Sequence, residues 1–406
     1  MTPKLLICGG GIGGLASALA SARSGWRVEL LEQAASFGEV GAGIQLGPNV
    51  VRVLQSMGVG EALERVAAKP ERLEVRSAVN GKVLGVLPLG HSMRERYGAD
   101  YFTIARADLH EILLQAVQQV VELRLNARVT SVSQTADAVL VKTSTGAAPV
   151  THSAEVLVGA DGLWSAVRPH VAGDTPARVT GHLAYRAMLP QSALPPSLRS
   201  DVVTVWLGPK FHAVQYPVRG GQWLNLVVIV QGAVPVNEQD RLEGWDHVAH
   251  AADLRRRLAD ACGSLRELAG AIDAWWLWAL FDRPPMASAS EHANGRIALL
   301  GDAAHPMRPY LAQGAGMAIE DAAALAQCLS KPRARITVNQ GAQSEVVQAL
   351  QTYAASRWQR NARVQARAIR NGEIFHWQGA LQIGRDAALK TLGAKLLDVP
   401  WLYAGP

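Results

Sequence analysis

Six residues near the N-terminus, Gly9-Gly10-Gly11-Ile12-Gly13-Gly14, limit what this chain can fold into more than any other stretch. They follow Leu5-Leu6-Ile7-Cys8, a run too short and too uniformly apolar to alternate, as a buried strand is. They lead into Leu15-Ala16-Ser17-Ala18-Leu19-Ala20, a helix of small residues that Gly25 ends, and Val28-Glu29-Leu30-Leu31-Glu32 reads as the next strand. Strand, glycine turn, helix and strand form the compact βαβ unit of a dinucleotide-binding fold. Gly9 permits the tight turn, Gly11 lets a diphosphate approach the backbone, and Gly14 allows close packing of helix on strand. The helix N-terminus offers free N–H groups and a partial positive charge to that diphosphate. Glu32, closing the second strand, can accept hydrogen bonds from ribose hydroxyls and would repel a 2′-phosphate. The fingerprint by itself does not separate FAD from NAD.

Two further strands end in a carboxylate. Leu157-Val158-Gly159-Ala160-Asp161-Gly162 continues to Ser165 and Arg168, and in isolation reads as a turn with a helix N-cap. The strand Arg296 to Leu300 closes on Gly301-Asp302-Ala303-Ala304-His305-Pro306, and Gln313-Gly314-Ala315-Gly316-Met317 then enters a helix that carries Glu320-Asp321. The Asp302 carboxylate can hold ribityl hydroxyls, and N–H groups at the helix start can face a negative flavin edge; a merely capped helix fits equally well. His305 beside Pro306 reads as structural. No second Gly-x-Gly-x-x-Gly is followed by a helix and an acidic strand end, so a second nucleotide domain is not expected.

Between these motifs the pattern changes. Residues 72–87 alternate as sheet does, Arg106 to Val121 reads as a helix, and Val129 to Lys142 and Glu155 to Val158 as strands. Leu183 to Val230 is β-rich, residues 250–274 read as helical, and 331–344 as a polar loop. Glu345 to about Phe375 reads as a long helix or helix pair, and the last stretch of chain gives no reading. The order is α/β, β-rich, α/β, helical: a nucleotide-binding domain in separated pieces with a β-rich domain inserted.

In order and spacing, the Gly9–Gly14 fingerprint, Asp161-Gly162 and Gly301-Asp302 resemble the three signatures of the class A flavoprotein monooxygenases. These enzymes use one tightly bound FAD to hydroxylate aromatic rings. Gly38-Glu39-Val40-Gly41-Ala42-Gly43-Ile44, Pro48-Asn49 and Arg106-Ala107-Asp108-Leu109 support the match, which spans about residues 4–375. The chain looks most similar to the salicylate hydroxylase, 3-hydroxybenzoate 6-hydroxylase and 6-hydroxynicotinate 3-monooxygenase group. The resemblance implies an α/β fold: a discontinuous Rossmann-like FAD-binding domain of glutathione reductase type (1–71, 98–178, 287–345), an inserted β-sheet substrate domain (72–97, 179–286) and a C-terminal helical region (346–406). Its implied FAD contacts are Gly9, Gly11, Ile12, Gly13, Gly14, Leu15, Glu32, Gln33, Gly43, Arg106, Val129, Asp161, Asp302, Gly314, Ala315, Gly316 and Met317. Asp161-Gly162 is implied to serve the nicotinamide donor as well.

The implied reaction takes NADH or NADPH as a transient reductant and O2 as co-substrate, and hydroxylates a hydroxylated aromatic acid through a flavin C4a-hydroperoxide. The ring must be electron-rich, so a phenol should be ionised or hydrogen-bonded, in a closed and dry pocket. His212 and Tyr216, four apart in a strand, share one sheet face and could share a phenol proton; a core His with a core Tyr fits the spacing too. The resemblance favours function, because hydroxybenzoate and hydroxynicotinate hydroxylases carry a matching pair. Pro309 departs from those 3-hydroxybenzoate 6-hydroxylases that place a Gln there, and it has no N–H to donate, which leaves the regiochemistry open. Gln45 and Tyr310 are expected to line the pocket, and Arg186 either binds a carboxylate or braces the sheet. Two other substrates stay open, a hydroxypyridine carboxylate and a larger phenolic or quinolone metabolite. So does a flavin-bound redox-sensing protein without turnover.

Bulk composition narrows the partners. Hydrophobic residues make 49% and charged residues 18% of 406, as in globular proteins. Lys and Arg exceed Asp and Glu by 40 to 34. Arg255-Arg256-Arg257 is one dense basic stretch, and Arg357, Arg360, Arg363, Arg367 and Arg370 fall on one helical face, read as solvated. Without interleaved aromatics or a recognisable module, nucleic acid is not an expected partner. The positive balance suits an anionic substrate and cofactor. Cys8, Cys262 and Cys328 show no disulfide framework or metal-ligand spacing, so no metal is expected. No apolar run reaches the ~18 residues of a membrane span, and no signal peptide is read before Leu5. A cytoplasmic monomer or homodimer is the expectation.

Overall fold

The structure is a computed structural model that describes residues 2–38, 42–144, 149–232, 247–330 and 345–405. The segment Glu39 to Gly41 and the stretch 331–344, expected from the sequence to be a polar loop, lie outside the described residues. The central sheet has six strands in the order Ala293–Asn294, Ile297–Leu299, Val156–Gly159, Lys4–Cys8, Arg27–Leu31, Glu122–Arg124. All its neighbours are parallel except the first pair. Such a sheet must be covered on both faces, and the side chains of Lys4–Cys8 alternate accordingly. Leu5 and Ile7 join the helices Ile12–Arg23, Arg106–Gln118 and Gly314–Ser330 on one side. Leu6 and Cys8 meet Val132, Val139, Val141 and Ala154 of an antiparallel three-stranded sheet on the other.

A second sheet of eight strands draws on Arg72–Ser77, Val83–Pro88 and the stretch Arg178–Asp282. It is antiparallel apart from the pair Val203–Gly208 with Arg72–Ser77. One face (Leu183, Tyr185, Phe211, Ala213, Leu226, Val228) is buried under the helices Ala251–Arg257 and Gly263–Gly270. These two helices occupy most of the stretch read as helical over 250–274, and a strand unannounced in the sequence, Trp275–Asp282, follows them. The other face looks toward the nucleotide-binding sheet. A two-strand ribbon, Gly43–Leu46 with Phe102–Ala105, joins the two halves. Gly43 N–H donates to Asn225 Oδ1 at 2.6 Å, and Thr103 Oγ1 donates to the Pro217 carbonyl at 2.5 Å.

Glu345–Phe375 is a single helix of 31 residues packed across Gly314–Ser330. Here the arginine series departs from the solvated face expected of it at Arg357 and Arg360, while Arg363 and Arg370 are exposed as expected. Arg357 is 1% exposed and pairs with Asp321 and Glu320; Arg360 pairs with Glu320, and Arg363 stacks on Trp401. The cause is the helix it crosses, whose Glu320-Asp321 would otherwise be two uncompensated buried charges. His292 and His305 join Asp321 closely enough to suggest metal ligands. Asp321 however already accepts from the Gly301 N–H, His305, Arg357 and Asn361, and the Arg357 cation opposes a metal ion there.

The chain end, silent in the sequence, folds back as helices Gly379–Leu392, Ala394–Leu397 and Pro400–Tyr403. Leu389 and Leu397 cover Val75, Leu84 and Leu207 of the eight-stranded sheet. Tyr403 packs on Tyr97 and Tyr101, and Asp398 accepts from Tyr97 Oη at 2.7 Å. Cys8, Cys262 and Cys328 form no disulfide, and no described helix is long and apolar enough to cross a membrane.

Candidate active site

The glycine turn is built for close approach. A Cβ on Gly14 would stand 1.9 Å from the Gly9 carbonyl oxygen, and one on Gly9, at φ +104°, would stand 2.4 Å from the Ala160 oxygen. Gly11 differs: no atom lies within 4 Å of its would-be Cβ. The first intrahelical bond runs from Leu15 N–H to Gly11 O at 2.9 Å, so the N–H groups of Ile12, Gly13 and Gly14 precede it and face that space. The Glu32 carboxylate accepts from the N–H groups of Gly10 and Ala34 at 2.7 and 2.8 Å. This fixes its orientation while each oxygen keeps a lone pair. Buried His110 donates from Nε2 to the Gly10 carbonyl at 2.8 Å.

Asp161 lies against Gly9, and its oxygens are engaged by its own loop: they accept from Ser165 Oγ at 2.5 Å and from the Ala166 and Val167 N–H groups at 2.8 and 3.2 Å. Burial raises its pKa and these bonds oppose the rise. Arg168 carries that loop to the next motif, donating to the Ala303 and Ala304 carbonyls at 3.0 and 2.8 Å. Between them Asp302 is open to water, yet loss of solvation among the surrounding walls raises its pKa, against the pull of His305 and Arg106. Both properties suit a carboxylate on the floor of a narrow cleft. Gly314, at the head of the helix Gly314–Ser330, also has no atom within 4 Å of a would-be Cβ, whereas Gly316 abuts Val50 and the Met317 side chain is fully buried. Among the remaining expected contacts, Gln33 is exposed and Val129 is half-buried, pairing with Thr143 in the three-stranded sheet.

The inner face of the eight-stranded sheet stands over this cleft. His212 and Tyr216 lie on it, 2% and 4% exposed, in register with Ile229 and Asn225. A Cβ on Gly43 would meet the Tyr216 ring at 2.5 Å, so the ribbon's glycine seats the tyrosine. Arg186 shares the face. Its guanidinium stacks 3.6 Å over Trp278, its Nε is buried without a partner, and it has no hydrogen bond or ion pair among the described residues. Burial pushes its pKa down to about 9, with Tyr216 opposing and Arg106 adding to the fall. The Tyr216 phenol is raised by burial and pulled back by Arg186. The Tyr310 hydroxyl is taken by His182 Nδ1, so this side chain offers the pocket its ring; Pro309 precedes it in a single turn. Gln45 accepts from Tyr101 Oη at 2.7 Å.

Residues 2–368 match the FAD binding domain family. The chain is 37% identical over 404 residues to 3-hydroxybenzoate 6-hydroxylase of Polaromonas naphthalenivorans, covering 98% of this chain and 95% of that protein. This chain is a class A FAD-dependent aromatic hydroxylase. The hydroxylase is also 35% identical over 363 residues to 6-hydroxynicotinate 3-monooxygenase of Bordetella bronchiseptica, covering 89% of this chain and 90% of that one. Its fold matches the crystal structure of Klebsiella pneumoniae HpxO complexed with FAD and uric acid, with a TM-score of 0.83, 26% identity and coverage of 97% and 94%.

The residues of the hydroxylase fit FAD. Open space at Gly11 faced by helix N–H groups suits the diphosphate, Glu32 suits the adenosine ribose, and Asp302 with the start of the helix Gly314–Ser330 suits the flavin end. Several polar groups here were not anticipated. Asn225, fully buried with an unpartnered Nδ2, interrupts the apolar strand Leu224 to Val230 at an inward position, a signal the sequence does carry. His110, His182 and His376 come from three distant segments and carry no local signal. His376 Nε2 lies 2.8 Å from His212 Nδ1.

Proposed function

We propose that this hydroxylase uses NADH or NADPH and O2 to add one oxygen atom to the ring of a hydroxylated aromatic acid, a hydroxybenzoate such as 3-hydroxybenzoate or salicylate. The observation that carries this reading is Arg186: a desolvated cation without an anionic partner among the described residues, beside Tyr216 and on the same sheet face as His212, with the strand Trp223–Gln231 between their two strands. A substrate carboxylate supplies the missing charge, and the guanidinium holds it in a fixed orientation. His212 and Tyr216 then meet the ring's hydroxyl oxygen and favour its electron-rich form. The C-terminal helices exclude water from the far end of the same sheet face. When bound, FAD supplies the redox chemistry, taking electrons from the nicotinamide and activating O2.

The FAD contacts expected at Gly9 to Leu15, Glu32, Arg106, Asp302 and Gly314 to Met317 belong to this proposal. So does the division into an FAD part (1–71, 98–178, 287–345) and a substrate part (72–97, 179–286), which the membership of the two large sheets supports. A cytoplasmic location fits a consumer of reduced nicotinamide. A second reading, a hydroxypyridine carboxylate, is favoured by the 6-hydroxynicotinate relative and presents the same carboxylate and hydroxyl to Arg186 and His212.

Purified holoenzyme should oxidise NADH faster with 3-hydroxybenzoate, salicylate or 6-hydroxynicotinate, and one of them should yield a product heavier by one oxygen atom. Bound FAD with no stimulation by any aromatic acid would sink the proposal in favour of a redox-sensing role. Stimulation only by larger phenols or quinolones would move the substrate class.

A further inference from the structure

His212 has a partner whose geometry decides what it can offer a ligand. Its Nδ1 lies 2.8 Å from His376 Nε2, with the two residues 2% and 3% exposed. His376 follows directly on the long helix Glu345–Phe375 and is held from several sides. Its carbonyl accepts from the Lys210 N–H at 3.3 Å, and Arg385 donates to the Ile374 and Phe375 carbonyls at 3.1 and 2.8 Å, fixing the helix end. The His182 ring, itself bonded to Tyr310, packs edge-on 4.9 Å away.

Two neutral imidazoles share one hydrogen bond only if one donates and the other accepts. If His212 Nδ1–H donated, His376 would carry its proton on Nδ1. That atom is buried without a partner, and an orphaned buried N–H is among the rarest defects in proteins. If His376 Nε2–H donates, its Nδ1 is a bare nitrogen, and His212 must carry its own proton on Nε2. We propose that His376 is a positioning residue that donates to His212 Nδ1 and so fixes His212 as an Nε2–H donor toward the substrate's hydroxyl oxygen. His212 then stabilises a phenolate and does not act as its base. This inference rests on the reading of His212 as a substrate-facing group.

The surroundings keep both rings neutral. Burial, then His376 and His182, depress His212; burial, then His182 and Arg385, hold His376 to about 3. Tyr310 packs on both rings and Phe375 on His212. Arg308 and Asp282 act at one remove, through His182 and Tyr310.

The test uses the holoenzyme with ring-15N histidine, the His212 signals being assigned by their loss in H212N. Without ligand, His212 should show a protonated Nε2 and a bare Nδ1. The reverse pattern overturns the proposal and needs no variant at His376. With 3-hydroxybenzoate as probe, the absorbance of the bound phenolate is titrated against pH. In H376L the phenol should ionise about one pH unit higher and kcat should fall about tenfold, the worth of one hydrogen bond to a charged group, with KM nearly unchanged. H376Q, whose amide N–H replaces Nε2–H, should restore most of both. Wild-type titration in H376L, or H376Q as impaired as H376L, also overturns it. If the wild type binds no hydroxybenzoate, the reading of the pocket fails while the nitrogen pattern still decides the role of His376.

Discussion

Arg357 Nε donates to Asp321 Oδ1 at 2.8 Å, with the two side chains 1% and 0% exposed. The pair joins the long helix Glu345–Phe375 to the helix Gly314–Ser330. Removing one partner leaves an uncompensated buried charge. Arg357→Met should therefore lower unfolding stability by about 3–5 kcal/mol, measured as a fall in the urea midpoint of the apoprotein. A loss below about 1 kcal/mol, the scale of a surface pair, would show that the network is not a structural anchor.

Acid should weaken the fold in two stages. Burial is the leading cause that holds His182 to about 4, His292 to about 4 and His376 to about 3, and it also depresses His212. Below the ordinary histidine value of about 6.5 the unfolded chain binds protons that the folded chain refuses. Stability is therefore fully present above that value and falls as pH drops toward 4, by at most about 1.4 kcal/mol per pH unit for each histidine. Asp321 adds a later loss. Burial alone would raise its pKa, but His305 and Arg357 outweigh that and hold it well below the carboxylate range. Its contribution persists until the pH falls below about 4. Urea midpoints that stay level from pH 7 to pH 4.5 would contradict the first stage.

Two glycines of one motif should fail in different ways. Gly14→Ala drives a methyl into the Gly9 carbonyl 1.9 Å away, so the apoprotein itself should melt at lower temperature. Gly11→Ala meets no protein atom within 4 Å, so the apoprotein should keep its melting point while FAD affinity, read by flavin fluorescence titration, falls at least about tenfold. Equal loss of fold in both variants would show that Gly11 serves packing.

Arg186→Gln should raise KM for the carboxylate substrate by about ten- to a hundredfold, the worth of a charge-assisted bidentate contact. It should leave the weaker binding of the matching carboxamide nearly unchanged. If both ligands weaken equally, Arg186 braces the sheet instead, through its stack on Trp278.

Legibility in the sequence followed the range of the interactions. The βαβ unit is local: glycine sterics, a strand of four apolar residues and a closing carboxylate lie together in the chain, and their geometry matches the expectation at Gly9, Gly11 and Gly14. His212 and Tyr216 were legible as a same-face pair because strand periodicity is also local. The first part of the arginine series, Arg357 and Arg360, was misread because helical spacing shows which residues share a face and not what that face meets, here Glu320 and Asp321. Asp161 reads in isolation as a helix N-cap, but the next helix, Pro169–Ala172, begins after Arg168 with no side-chain cap, and the Asp161 oxygens instead close their own loop on Ser165, Ala166 and Val167. His376 and the chain end depend wholly on contacts with segments far away in sequence, such as 164 residues for the pair with His212.

A crystal structure of the holoenzyme with FAD and 3-hydroxybenzoate tests the central claim most directly. The ring should lie between the flavin and the inner face of the eight-stranded sheet, its carboxylate within hydrogen-bond distance of the Arg186 guanidinium and its hydroxyl oxygen within reach of His212 Nε2 or Tyr216 Oη. A ring seated away from that face, or one whose carboxylate finds other partners while Arg186 stays on Trp278 alone, would contradict the account.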